Sequence, residues 1–104
     1  MADPTSTYLV ALLSITDPRS YRRYEIRFLP ILKRYGGEIV GFADGPELLE
    51  GEPLEDRLVL LRFPDRAAAD AWYHSDEYQE LALIRQGAST ARFVALLPEL
   101  NSER

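Results

Sequence analysis

Cysteine is absent from the chain. Disulfides, thiolate metal sites and a cysteine nucleophile are therefore excluded, and the redox compartment cannot be read from thiol usage. Histidine occurs once, as His74. A single imidazole without a thiolate or a second histidine makes a poor metal site and a poor haem anchor. No glycine-rich loop of the kind that cradles phosphates is present, which argues against a nucleotide cofactor; with no spacing of metal ligands either, neither a metal nor a cofactor is expected. Basic residues are in the minority: 12 Lys and Arg face 17 Asp and Glu, for a net charge of −5. That balance argues against nucleic acid and against anionic membrane surfaces as partners, because both need clustered Lys and Arg. No apolar run approaches the ~18 residues of a spanning helix. The segment Met1 to Thr7 is short and polar, unlike a signal peptide. A cytoplasmic location is expected.

What the chain does have suits one domain over residues 1–104, with a core from about 8 to 97 and frayed termini. Hydrophobic content is 46% and charged content 28%, as in ordinary globular proteins. Tyr8 to Ile15 reads as a first strand. Asp17-Pro18 then supplies an N-cap and a first helical residue whose missing N–H costs nothing there. The helix that follows carries Tyr21, Tyr24, Phe28, Ile31 or Leu32, and Tyr35 on one face, with Pro30 expected to kink or loosen its middle. Gly36-Gly37 stops it. Glu38 to Ala43 is a second strand, Asp44 to Asp56 an acidic loop, and Leu58 to Phe63 a third strand. Pro64-Asp65 opens a helix to about Tyr73, and Ser75 re-caps a further helical segment that Gly87 should end. Ala91 to Leu97 is the fourth strand. The order β-α-β-β-α-β is the split βαβ arrangement: α+β, a four-stranded antiparallel sheet with two helices on one face.

An antiparallel sheet with one wet face should alternate apolar and polar residues. Leu9-Val10-Ala11-Leu12-Leu13, Leu58-Val59-Leu60-Leu61 and Phe93-Val94-Ala95-Leu96-Leu97 are apolar on both faces. Helices cover only one face, and an uncovered apolar patch of that size marks an interaction surface. A second copy packed sheet against sheet is the economical partner, so a homodimer through the open sheet face is expected.

The segment Trp72-Tyr73-His74-Ser75-Asp76-Glu77-Tyr78 concentrates four ring-bearing side chains, including the sole tryptophan and the sole histidine. From Ser75 onward, Tyr78, Leu81, Ala82 and Arg85 fall at i, i+3, i+4 and i+7 and share one helical face. An arginine on that apolar stripe either snorkels, pairs with a carboxylate such as Glu50, Asp76 or Glu77, or reaches into a cavity where its planar fork would hold a carboxylate or enolate. His74 is the natural acid–base candidate by its intrinsic pKa, set against a plain solvent position at a helix break. Glu50, held beside Gly51, is a second candidate base, set against local capping or pairing. Tyr78 and Tyr73 offer phenols, Trp72 a flat wall and Tyr35 a stripe position at the end of the first helix. For all of these, core packing is the competing reading. The candidate catalytic residues are His74, Glu50 and Tyr78; the candidate ligand-binding residues are Arg85, Tyr73, Trp72 and Tyr35.

Asp17-Pro18, Tyr35-Gly36-Gly37, Leu49-Glu50-Gly51, and Phe63-Pro64-Asp65 leading through Ala71-Trp72-Tyr73-His74-Ser75-Asp76-Glu77-Tyr78-Gln79 to Arg85 together resemble the bacterial family named domain of unknown function 1330. The resemblance runs from about Tyr8 to Leu97. It implies a ferredoxin-like protomer of the dimeric α/β-barrel superfamily, whose members include cofactor-free oxygenases, polyketide cyclases, small-ring isomerases, haem-binding peroxidases and ligand-sensing regulators. Shared fold alone does not choose among these chemistries. The expectation is a homodimer with a mostly apolar pocket for a small organic ligand. It would be either a cofactor-independent enzyme acting on a small carboxylate or enolisable carbonyl compound, or a non-catalytic binding or stress-related accessory protein. A third alternative is a dimer whose cleft is only packing.

Overall fold

The computed structural model describes residues 5–100. β1 (Thr7–Ile15) alternates in environment along its length: Leu9, Ala11 and Leu13 are buried in the core, while Tyr8, Val10 and Leu12 are half-buried on the opposite side. The Asp17 carboxylate caps α1 (Pro18–Arg34) by accepting the Ser20 N–H. The expected stripe is buried at Tyr21, Tyr24, Ile31 and Leu32 and half-buried at Phe28 and Tyr35. α1 remains one element through Pro30. The proline and Ile26, whose carbonyl it leaves without an N–H partner, both lie on the exposed face. Gly36 takes φ +79° at the helix end. Gly37 is required for a different reason: a Cβ there would lie 2.5 Å from Leu32 Cδ1 and 2.7 Å from Phe63 Cε1.

β2 (Glu38–Asp44) pairs with β3 (Arg57–Phe63), with a register shift between Ile39 and Gly41. Asp65 caps α2 (Arg66–Tyr73) by accepting the Ala68 N–H at 2.8 Å. The second helical region is broken, as the Ser75 cap predicts. The Ser75 hydroxyl accepts the Tyr78 N–H at 3.0 Å and donates to the Trp72 carbonyl at 2.8 Å, closing α2 and opening α3 (Asp76–Ala88) with one side chain. The expected stop at Gly87 is not where α3 ends. The helix runs through Gly87 to Ala88, because the chain has other partners for the terminal carbonyls. The Arg85 carbonyl accepts the Ser89 hydroxyl, and the Ala88 carbonyl accepts the N–H groups of both Thr16 and Asp17. β4 (Ser89–Pro98) completes the fold. The frayed ends expected of the termini fall largely outside the described residues; within them, the Glu99 N–H donates to the Ser6 carbonyl at 2.9 Å.

The four strands form one antiparallel sheet in the order β2-β3-β1-β4. This is the α+β ferredoxin-like arrangement, with three helices where the second is split. Leu9 lies opposite Leu61 and Leu96, and Ala11 opposite Val59 and Val94. These pairs face the helices. Val10, Leu12, Leu58, Leu60, Phe93, Ala95 and Leu97 alternate onto the other face. Nothing among the described residues covers that face. The largest fully buried side chains, Trp72, Phe63, Leu32, Leu61 and Leu81, join helices to sheet, each contributing roughly 1.5–3 kcal/mol by burial. Among the described residues, no helix is long and apolar enough to cross a membrane.

Candidate functional site

A cavity of about 190 Å³ opens between the helices and the sheet. Its floor is apolar, from Leu9, Ala11 and Leu13 of β1 and Val59 and Leu61 of β3. α1 supplies Tyr21, Tyr24 and Phe28; Trp72, Tyr78 and Arg85 close the far side. Glu25, Leu29, Ile39, Phe42 and Arg57 form a rim that is exposed or half-exposed. β2 ends up at the rim because it is the sheet edge and no helix extends over it.

Two polar clusters stand in this apolar frame. In the interior, the Tyr24 and Tyr78 hydroxyls meet at 2.8 Å. Only one of their protons can lie between the two oxygens, so the other is free to donate elsewhere. Arg85 is beside them, on the same face of α3 as Tyr78, and is only 5% exposed. Among the described residues no carboxylate pairs with it: Glu77 engages Arg34 at the surface, while Glu50 and Asp76 are exposed and make no contact with it. At the rim, Arg57 has the opposite arrangement. Its Nε and Nη2 donate to the Asp44 carboxylate at 2.7 and 3.0 Å, and its Nη1 donates to Glu25 at 2.5 Å. Its guanidinium lies 5.5 Å from the Tyr21 ring centroid and 5.0 Å from that of Phe42.

The ionisation behaviour follows from burial. Desolvation, helped by the neighbouring Tyr78 phenol, pushes the Tyr24 phenol well above its ordinary range. Desolvation likewise pushes Tyr21 up to about 12, against the opposing pull of Arg57. For Arg85, burial works against the charge, but Tyr78 and Tyr24 offset it and the group is held more firmly protonated than usual. The Tyr21 and Tyr24 phenols are therefore neutral at ordinary pH, beside a permanent cation. The Trp72 ring packs against Tyr78 at 4.1 Å and Phe63 at 5.2 Å between centroids, and its indole N–H is buried without an acceptor among the described residues.

Of the residues singled out in the sequence, Trp72, Tyr78 and Arg85 line this cavity together. Tyr73 and His74 line a separate surface groove with Arg66 and Asp70; Tyr73 backs onto the Tyr78 ring at 5.7 Å. Glu50 is exposed in the loop between β2 and β3, and Tyr35 packs against the core without lining the cavity. The sequence places Tyr21 and Tyr24 on the apolar stripe of the first helix and singles out neither Glu25 nor Arg57. A signal for Glu25 was present: Tyr21, Glu25 and Leu29 follow at i, i+4 and i+8 along one edge of the helical stripe. The described residues hold no group of three or more His, Cys, Asp or Glu side chains arranged for a metal ion. The arrangement can bind an anion: a planar cation and a phenolic O–H converge on a space walled by rings.

The chain resembles several solved structures in fold. It superposes on a protein of unknown function from Rhodopseudomonas palustris, RPA0582, with a TM-score of 0.78 at 20% identity, covering 93% of this chain and 84% of that one. SnoaB, a cofactor-independent oxygenase from Streptomyces nogalater, gives a TM-score of 0.66 at 16% identity, covering 97% of both chains. HapK from Hahella chejuensis gives 0.61 at 14% identity, covering 92% of this chain and 94% of that one. At these identities the likeness is one of fold. No curated protein matches the sequence. The sequence does match, over residues 6–97, the family described as Domain of unknown function (DUF1330), and the chain belongs to that family.

Proposed function

We propose that this protein is a cytoplasmic homodimer whose cavity binds a small organic anion, a carboxylate or the enolate of a carbonyl compound, and acts on it without a cofactor. One observation carries the reading: Arg85 is 5% exposed and has no carboxylate partner among the described residues. A buried cation without a counter-ion is costly, and a bound anion would remove that cost. Stabilising an enolate is also a catalytic act, since it lowers the barrier to passing the proton beside a carbonyl to solvent water at the exposed rim. In this reading Arg85 holds the oxyanion and Tyr78, backed by Tyr24, donates to it. Trp72 forms the wall. His74, Glu50, Tyr73 and Tyr35 stand outside the cavity and have no contact with the ligand. The fold shared with a cofactor-independent oxygenase supports the enzyme reading by analogy.

A carrier is the second reading, favoured by the absence of an imidazole or an unpaired carboxylate from the cavity lining among the described residues. Native mass spectrometry of the purified protein, followed by denaturation, tests binding: a released small anion that is missing from Arg85→Met supports the pocket, and an empty wild-type protein counts against it. Proton NMR in deuterium oxide separates the two readings. An enzyme exchanges the α-proton of an enolisable ligand faster than buffer does; a carrier leaves that rate unchanged.

The homodimer rests on the open sheet face, where Leu60, Phe93 and Leu97 present an apolar surface with no helix over it among the described residues. Light scattering after size exclusion should give twice the chain mass, and Leu60→Asp should give the monomer mass. A wild-type monomer at micromolar concentration would refute the assembly.

A further inference from the structure

We infer that the ligand of this cavity is a planar, conjugated, single-ring monoanion: a ring-borne phenolate or cyclic enolate, or an aromatic carboxylate. This deepens the functional reading above and rests on it, because that reading supplies the anion site.

Three features of the cavity set the class. The first is size. A cavity of about 150 Å³ holds benzene. One of about 190 Å³ therefore takes one six-membered ring with one or two small substituents, while a fused second ring would have to project through the rim. The second is the wall. Tyr21, Tyr24, Phe28, Trp72 and Tyr78 offer ring faces and edges around most of the space, and the remaining floor is aliphatic. Flat π-systems pack against such walls in offset or edge-on contact, whereas a puckered aliphatic ring of equal volume loses that contact. The third is charge. Arg85 is the only cation in the interior of the cavity among the described residues, and the rim arginine is already neutralised by Asp44 and Glu25. One unmatched positive charge calls for a single negative charge. A dianion would leave its second charge among apolar groups or facing Glu25 at the rim.

The hydroxyl pair sharpens this further. Tyr24 and Tyr78 share one hydrogen bond at 2.8 Å and retain one proton to give. Donation from that O–H, together with the Arg85 fork, stabilises the ionised ligand over its conjugate acid. A phenol or enol bound here should therefore ionise at lower pH than it does in water.

The test is a matched set of probes, measured by isothermal titration calorimetry and by the fluorescence of Trp72, the only tryptophan and part of the cavity wall. The probes are 4-nitrophenolate, benzoate, cyclohexanecarboxylate and nitrobenzene. The expected result is that 4-nitrophenolate or benzoate binds at least about tenfold tighter than both cyclohexanecarboxylate and nitrobenzene. The preference for the anion should disappear in Arg85→Met, and the absorbance titration of bound 4-nitrophenol should move to lower pH in the wild type. Which of the two aromatic anions binds more tightly separates a ring oxyanion from a carboxylate. Arg85→Lys, which keeps the charge without the fork, provides a second variant should Arg85→Met fail to fold by circular dichroism. Equal affinity for cyclohexanecarboxylate and benzoate, with dependence on Arg85, would overturn the planar class and leave the anion site standing. Equal affinity for nitrobenzene, indifferent to Arg85, would overturn the charge argument. No binding of any probe would overturn this inference, while the functional reading beneath it falls only if the purified wild-type protein also releases no small anion on denaturation.

Discussion

The interior and the rim of the cavity each hold an arginine, and the two are opposites. Arg57 at the rim sits on aromatic faces and is gripped by two carboxylates from two different elements. Arg85 in the interior is more deeply buried and has phenols for neighbours but, among the described residues, no carboxylate. A charge whose partners come with the chain is part of the scaffold, and it ties α1, β2 and β3 together. A charge buried without one is a stability cost that a ligand can relieve. Function is to be sought at Arg85, which has no carboxylate partner among the described residues.

The largest effect is expected at Arg85. Arg85→Met should cost about 2–3 kcal/mol of anion affinity while leaving the melting temperature unchanged or raised, since it removes a buried unpaired charge. Arg57→Met should do the reverse, with near-normal affinity and a stability loss of at most about 1 kcal/mol because its carboxylates are solvent-screened. Calorimetric titration and thermal unfolding of both variants decide it, and a lowered melting temperature with intact binding in Arg85→Met would erase the distinction.

Next comes alkaline pH. Burial raises the Tyr21 phenol to about 12 in the folded protein, against about 10 in the unfolded chain. The native state then keeps a proton that the unfolded state gives up. This contribution is fully present below about pH 10 and is lost as pH rises toward 12, amounting to about 2 kcal/mol. Tyr24 shifts in the same direction. Denaturant unfolding of the wild type across this window should show the loss, and Tyr21→Phe should show a shallower slope.

A smaller effect is expected at the hydroxyl pair. Tyr24→Phe should destabilise by about 1 kcal/mol, and adding Tyr78→Phe should cost less than a second equal step, because the first change has already removed their shared bond. A fully additive double mutant would mean that the two hydroxyls are independently satisfied. The smallest is salt: raising ionic strength should weaken the Arg57 cluster by a few tenths of a kcal/mol. Arg57→Met unfolding should be correspondingly less salt-sensitive than the wild type.

Much of this architecture can be read in the sequence because local chemistry and global fold agree. Asp17-Pro18, Asp65 and Ser75 each end one segment and cap the next, so strand and helix boundaries follow from single side chains. Where α3 ends was not legible at Gly87, because the groups that satisfy its last carbonyls come from Thr16 and Asp17, far away in the chain. The cavity divided the same way. Tyr78 and Arg85 share a helical face, so their proximity follows from spacing alone. Tyr24 joins them only across the packing of α1 on α3, and Arg57 meets Glu25 only because β3 runs beneath α1, neither of which periodicity encodes. His74 and Tyr73 stand out for their chemistry, yet they lie at the break between α2 and α3 and line another groove.

The position of β1 has a consequence for how the molecule is made. This strand is second from one edge of the sheet, with β3 on one side and β4 on the other. It emerges from the ribosome before either partner, and nearly the whole described chain separates Tyr8 from its neighbour Leu97. During synthesis β3 can pair with one edge of β1 first, but the other edge must wait until β4 is available, and the contacts that complete the sheet are non-local. Clipping β4 from the finished protein would uncover one side of β1 again, returning it to the aggregation-prone state it occupied as a nascent strand.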